Sequence, residues 1–512
     1  MRSANLTRVF LPQKEKFDLA NCPTSSHYLH HMAYPDWRLT LLFFLLIACS
    51  KDEPEDEIPK VYEPSQALTI FFINDQHGQI DNFAKIKVIV DQERQKTNVI
   101  LACSGDIFSG NPVVDNYSDQ GFPMVDLMNR SGFDVCVLGN HEFDYGEDKL
   151  RDRINQASFE WVCANVDMGG TGIPEPPEYY TFQLDSLRVT FLGLVETNGK
   201  PNAIIPLTHP WRVRNLNFER PEQVVGKYAN IKEEEEADLY IALTHLGHSG
   251  FGGALGDYQL AEQHPYFDLI IGGHSHRIID TMINHIPIFQ AGDYLHYIGK
   301  ISLTIRNKEI ESWQYQLIDL DDYPDQDQEL AKLIETYNDM PWLDEEIGFS
   351  HRYHQRNQVG CFYTDALRGQ MQVDVSFQNS GGVRSALDEG VITKREIFEI
   401  SPFNNGTIVY EMTVSDIANF LRETQSGFYY SGIQIKQTGD EIEVRDLNGI
   451  SLSDTTSLTI GLNDYIPAVF DDHFSGNGQI HSLNDAETVI QYLLEIDGDV
   501  DYQQCDRFFR YQ

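Results

Sequence analysis

At 512 residues the chain is long enough for two or three domains, and its 41% apolar and 12% aromatic content supports real cores and excludes a disordered chain. The formal net charge of −40 excludes a protein that tracks a nucleic-acid backbone, so no nucleic-acid polymer is expected as a partner. The seven cysteines, at 22, 49, 103, 136, 163, 361 and 505, show no CxxC pair and no regular spacing. Neither a disulfide framework nor a cysteine zinc site is expected from them. Cys103, Cys136 and Cys163 fall in apolar runs and are expected as buried small hydrophobes.

The first feature in chain order is the apolar run LTLLFFLLIA at residues 39–48, preceded by Arg38. It is short for a bilayer span and fits the apolar core of a signal peptide. LIAC, ending in Cys49, resembles a bacterial lipobox, which implies a lipid on Cys49. Residues 1–48 are therefore read as signal peptide. Met32 gives it a normal length, so residues 1–31 are read as a mis-assigned start. Residues 49–65, beginning CSKDEPEDEIPK, read as a polar tether. The chain is expected outside the cytoplasm, held to the outer membrane by this lipid alone, on its periplasmic or cell-surface face.

From residue 67 strands and helices alternate, which argues for βαβ units. ALTIFFIND is a strand, residues 82–96 a helix, NVILACSGD a strand and residues 121–131 a helix. DVCVLGN is a third strand. ADLYIALTH follows a helical stretch at 221–236, and FDLIIGGHSH follows in turn. Each apolar run ends in side chains that carry chemistry: Asp75 and His77, then Asp106, then Asn140 and His141, then His245, then His274 and His276. One such residue is an ordinary turn or cap. Five strand ends delivering them together to one sheet edge form a site, since ligands bind outside the carboxyl ends of parallel strands. Carboxylate, imidazole and amide without thiolate suit divalent Zn, Mn, Fe or Co. Such a set exceeds the needs of one tetrahedral ion and suits two ions sharing a carboxylate.

NDQHG, GDIFSG, GNHEFDYG, THLGH and GGHSH, in that order, resemble the five blocks of the calcineurin-like metallophosphoesterases, and GNHEFD resembles the 5′-nucleotidase branch. The resemblance implies a four-layer α/β/β/α sandwich over residues 66–320. It implies one divalent ion on Asp75, His77, Asp106 and His276, and a second on Asp106, Asn140, His245 and His274. It further implies that His141 faces the substrate phosphoryl group and that Asp144 orients its ring, as the acid of a triad does. The nucleophile would be a metal-bound hydroxide. Glu142 reads as structural.

Residues 321–346 read as a linker helix, and residues 347–512 as a smaller α/β domain. FQNSGGVRSAL, SPFNNG and LNDYIPAVFDD resemble the C-terminal substrate domain of 5′-nucleotidases. Carried over, Arg384 forks onto phosphate, Phe403 and Tyr465 sandwich a base, Asn379 and Asn405 donate hydrogen bonds, and Asp471 accepts from ribose hydroxyls. Relatives carry a Gly-Gly pair where this chain has Val469-Phe470, which places the ribose contact in question. The expected activity is a two-metal 5′-nucleotidase acting on a nucleotide or related phosphate ester. A UDP-sugar diphosphatase, a 2′,3′-cyclic-nucleotide phosphodiesterase and a non-hydrolytic nucleotide-binding lipoprotein are the alternatives. Cys49→Ser should shift the protein from the membrane to the soluble fraction; the fractionation is read by immunoblot, and retention on membranes contradicts the lipid reading.

Overall fold

The structure, a computed structural model, describes residues 8–10, 64–250, 253–474, 476, 478–496 and 498–512. The signal-peptide run, Cys49 and nearly all of the tether lie outside the described residues.

Strand Gln66–Ile73 shows how the first domain is layered. Leu68, Ile70 and Phe72 point into one core, and Phe71 and Ile73 into another. A strand alternates its side chains across the sheet, so a run apolar at every position must be covered on both faces. Asn98–Cys103 behaves the same way, with Ile100 and Ala102 on one face and Leu101 and Cys103 on the other. Gln66–Ile73, Asn98–Cys103, Val135–Val137 and Glu160–Val162 run parallel. Tyr297–Arg306, Glu309–Asp319 and the short Arg8–Phe10 extend this sheet antiparallel. A second sheet has Leu269–Ile271, Leu239–His245 and Leu187–Val195 at its centre. The two sheets face each other across Leu68, Ile70 and Phe72 on one side and Leu239, Ile241 and Leu243 on the other.

Helices close the outer faces. Phe83–Arg94 and Phe122–Ser131 cover the first sheet, and Asp257–Gln263 covers the second. The result is the α/β/β/α sandwich. Residues 221–236 are not one helix: they break into Pro221–Val224, a 3₁₀ turn at Val225–Tyr228 and Ile231–Glu234. Gly226 weakens the middle, and the acidic run Glu233–Glu236 repels itself and the negative helix end.

The linker helix is shorter than residues 321–346. It spans Gln328–Asn338, capped by Asp327, whose carboxylate accepts from the Glu329 and Leu330 amides. Pro324 delays its start and Pro341 follows its end. Strand Glu346–Ser350 then opens the second domain. That domain has a six-stranded sheet with Ser457–Asn463 and Val375–Asn379 at its centre. Helices Arg356–Met371 and Val414–Thr424 pack on its opposite faces. Among the described residues, no helix is long and apolar enough to cross a membrane.

Cys361 and Cys505 form a disulfide across 144 residues, which corrects the expectation that the cysteines carry none. No local spacing signals this bond. It exists because the C-terminal segment folds back onto helix Arg356–Met371, where Arg507 pairs with Asp365 at 2.6 Å. Cys103, Cys136 and Cys163 are free and buried. Closing so long a loop restricts the unfolded chain, so Cys505→Ser should cost about 2–4 kcal/mol of stability. Thermal melts of the variant and the oxidised parent make the comparison, and equal melting temperatures contradict it.

Candidate active site

Five of the seven expected ligands sit in the left-handed backbone region: Asp75 (φ 53°), His77 (50°), Asp106 (56°), His274 (75°) and His276 (51°). For residues with a Cβ this costs roughly 1–2 kcal/mol each, so surrounding bonds must enforce it. The Asp75 amide donates to the Gly105 carbonyl and the His77 amide to the Asp106 carbonyl, both at 3.0 Å. The His274 amide donates to the Asp75 carboxylate at 3.0 Å. Glu142 binds two loops together. Its buried carboxylate accepts from the Ile107 amide at 2.7 Å, from the Asp106 amide at 3.0 Å and from the Gly139 amide. Gly139 has no alternative, because a Cβ there would lie 2.3 Å from Asp106 Oδ1.

The imidazoles are aimed by bonds on their far sides. His77 Nδ1 lies 3.0 Å from the Ser109 carbonyl, His245 Nδ1 2.6 Å from the Ser104 carbonyl, and His276 Nδ1 3.1 Å from Asp293 Oδ2. Each acceptor fixes the proton on Nδ1 and leaves the Nε2 lone pair facing inward. There His77 Nε2 and His276 Nε2 meet at 2.9 Å, two lone pairs converging on one point. His245 Nε2 is buried without a hydrogen bond, although it lies 3.0 Å from Asp106 Oδ2. Asn140 gives its amide to the Leu207 carbonyl at 3.0 Å, which turns its Oδ1 to His274 Nδ1 at 2.9 Å.

Ligand atoms of Asp75, His77 and His276 lie within 4.8 Å of one another, as do those of Asp106, His245 and His274. A third triad, His77, Asp106 and His141, joins the two. Burial, reinforced by the other imidazoles, pushes His77 well below its ordinary range and His274 down to about 3, so both are neutral donors. Against the effect of burial, the carboxylates of Asp106 and Asp75 raise His245 to about 10. The pocket draws positive charge. Converging lone pairs, an orphaned buried nitrogen and buried carboxylates all fit two divalent ions sharing Asp106.

His141 stands beside this cluster. Its amide donates to Asp106 Oδ1 at 2.8 Å, and its Nδ1 lies 2.5 Å from Asp144 Oδ2. Asp144 Oδ1 accepts from Thr208 at 2.8 Å, so the carboxylate is held at both oxygens. Burial alone would lower the His141 pKa, but Asp144 and Asp106 raise it to about 9. The ring carries a proton on Nδ1 and presents Nε2 to the cleft.

That cleft runs between the domains. His141 and Asp144 line it with Asn379, Arg384, Phe403, Asn405 and Tyr465. Phe403 lies parallel to His141, with ring centres 5.8 Å apart and planes at 15°. The Arg384 guanidinium sits 5.8 Å from the Phe403 ring centre and has no carboxylate partner among the described residues. Asp471 is not in the cleft. It pairs with Lys200 at 2.7 Å on an exposed surface, which departs from the ribose role expected for it. It follows the short helix Tyr465–Val469 and its capping residue Phe470. Arg352 pairs with Asp501, and Arg356 donates to the Val383 carbonyl. Thr208, His209 and Arg212 also line the cleft and were not singled out from sequence. THPWR carries no motif, and the only signal was a run of hydrogen-bonding types in an otherwise featureless loop.

Residues 68–277 match the calcineurin-like phosphoesterase family and residues 338–472 match the 5′-nucleotidase C-terminal domain. The chain belongs to the calcineurin-like phosphoesterases that carry a 5′-nucleotidase C-terminal domain. It is 23% identical to endonuclease YhcR of Bacillus subtilis strain 168, over 89% of this chain and 41% of that protein. It is 27% identical to the trifunctional nucleotide phosphoesterase YfkN of the same strain, over 71% of this chain and 28% of that protein, so it spans less than half of either. A 5′-nucleotidase of Vibrio cholerae is 25% identical over 76% of this chain and 80% of its own length. The solved 5′-nucleotidase precursor of Thermus thermophilus shares the fold, with a TM-score of 0.74 at 19% identity, covering 86% of this chain and 98% of that one.

Within this phosphoesterase domain Glu142 ties together the loops of Asp106 and Asn140. Glu142→Ala strips three buried amides of their acceptor and should lower unfolding free energy by about 3 kcal/mol or more. Bound metal should fall with it. Denaturant unfolding and elemental analysis read the two effects, and full metal content in the variant would show that the loops hold themselves.

Proposed function

We propose that the chain is an extracytoplasmic phosphohydrolase that releases phosphate from nucleoside 5′-monophosphates. The observation that carries this reading is one cleft lined together by the His141–Asp144 pair, the Arg384 guanidinium, which has no carboxylate partner among the described residues, and the aromatic rings of Phe403 and Tyr465. Phosphate and base need those groups at once, and a phosphate ester without an aromatic part does not.

One divalent ion would be held by Asp75, His77, Asp106 and His276 and a second by Asp106, Asn140, His245 and His274; when bound, they would supply Lewis acidity and lower the pKa of water. The chain's own groups do the rest. Arg384 binds phosphate oxygens with a planar pair of donors. His141 Nε2 donates to the phosphoryl oxygens or to the leaving oxygen, and Asp144 keeps its proton on Nδ1 through the exchange. Phe403 and Tyr465 hold the base, at roughly 1–3 kcal/mol per stacked base, and Asn379 and Asn405 add hydrogen bonds. A protein that only captured nucleotides would have no use for an oriented imidazole, which favours turnover over binding alone.

The location rests on the apolar run at 39–48 and Cys49, and the Cys361–Cys505 bond agrees with an oxidising compartment.

His141→Ala should lower kcat by a factor of about 10²–10⁴ with metal content intact. Steady-state kinetics with elemental analysis decides it, and lost metal or unchanged turnover refutes the role. With Asp471 turned to Lys200, AMP and dAMP should differ in kcat/KM by less than about threefold, while both exceed p-nitrophenyl phosphate. Equal cleavage of all three esters refutes the nucleoside reading.

A further inference from the structure

Arg212 links the two halves of the cleft. It ends the 3₁₀ turn Pro210–Arg212 in the first domain and is half-buried. One guanidinium nitrogen donates to the Asp144 carbonyl, beside the acid that orients His141. The other donates to the Phe403 carbonyl at 2.8 Å, and to the Asn404 carbonyl and Asn405 Oδ1 at 3.3 Å. All its acceptors are neutral, and no carboxylate pairs with it among the described residues. Asn404, between the cleft residues Phe403 and Asn405, is itself left-handed at φ 50°. A second link lies close by, where His209 meets Asp464 at 3.0 Å, next to Tyr465. A two-ended, planar donor suits this bridge, and a single ammonium cannot reach both sides with the same geometry.

We propose that Arg212 is a positioning residue that couples the aromatic clamp to the chemistry: through it, a base held on Phe403 sets the loop of Asp144 and hence the aim of His141. This rests on the nucleoside phosphohydrolase reading above. Without Arg212 the two loops move independently, so a stacked base still binds but no longer aligns the phosphate with His141. Cleavage of a nucleoside ester then falls further than cleavage of a small aryl phosphate, whose ring is bonded directly to the ester oxygen and falls a sugar's length short of where a base is held.

The test uses the full-length, metal-loaded protein as wild type, Arg212→Met, Arg212→Lys, Phe403→Ala and the Arg212→Met/Phe403→Ala double variant, with AMP and p-nitrophenyl phosphate. The kcat/KM ratio of AMP to aryl ester should drop about tenfold in Arg212→Met, mainly through kcat, and nearly as far in Arg212→Lys. Phe403→Ala should cost about tenfold on AMP in the wild type and under threefold once Arg212 is gone, a coupling that a double-mutant cycle measures directly. Proportional losses on both esters, with Phe403→Ala keeping its full effect, overturn the proposal. If wild type shows no preference for AMP, the nucleoside reading has failed, and hydrogen exchange separately tests the bridge. Amides at 143–146 and 403–406 should then exchange at least threefold faster in Arg212→Met or Arg212→Lys, and unchanged exchange at either end overturns it.

Discussion

Asp75 and Asp106 put two carboxylates side by side with essentially no access to water. In a medium of low dielectric, like charges at this range repel strongly, and each alone is costly to bury. Everything around them answers that constraint. Four imidazoles and one amide oxygen converge on the pair, and the backbone of five residues is bent into an unfavourable region to bring them there. The strain is sustainable only because the sandwich beneath is dry and tightly packed, with strand residues such as Ile70, Leu101 and Ile241 fully enclosed. A looser sheet would let the loops relax, and the charges would separate.

The second domain solves a different problem. A charged cluster open to water recognises any phosphate. By laying Phe403 and Tyr465 across the mouth, the fold adds an apolar surface that rewards a flat ring. The contacts that bridge the cleft at Arg212, His209 and Lys200 are all polar.

The strand ends were legible because parallel strands buried on both faces leave uninterrupted apolar runs, and a polar residue at their carboxyl ends has little structural reason to be there. His141 and Asp144 were legible through the resemblance of GNHEFDYG, and the structure supplies the physical reason they meet: three residues around a short turn bring both side chains to one side. The break in 221–236 was hidden because its composition favours a helix, and only tertiary packing shows that few of its residues have anything to pack against. The Cys361–Cys505 bond, the Lys200–Asp471 pair and the Arg212 bridge share one cause of invisibility. Each joins segments far apart in sequence, at 144, 271 and 191 to 193 residues, through contacts that only a docked pair of elements creates.

The Cys361–Cys505 bond makes most of the second domain a closed ring. Helix Arg356–Met371 and the last strand, Phe508–Arg510, lie at the seam, and every loop between them belongs to the circle. A protease that cuts any one of those loops opens the ring without releasing a piece. A nick there becomes a scar rather than a loss, and the aromatic loop at 403–405 stays joined to the metal domain through whichever arm of the ring is still whole.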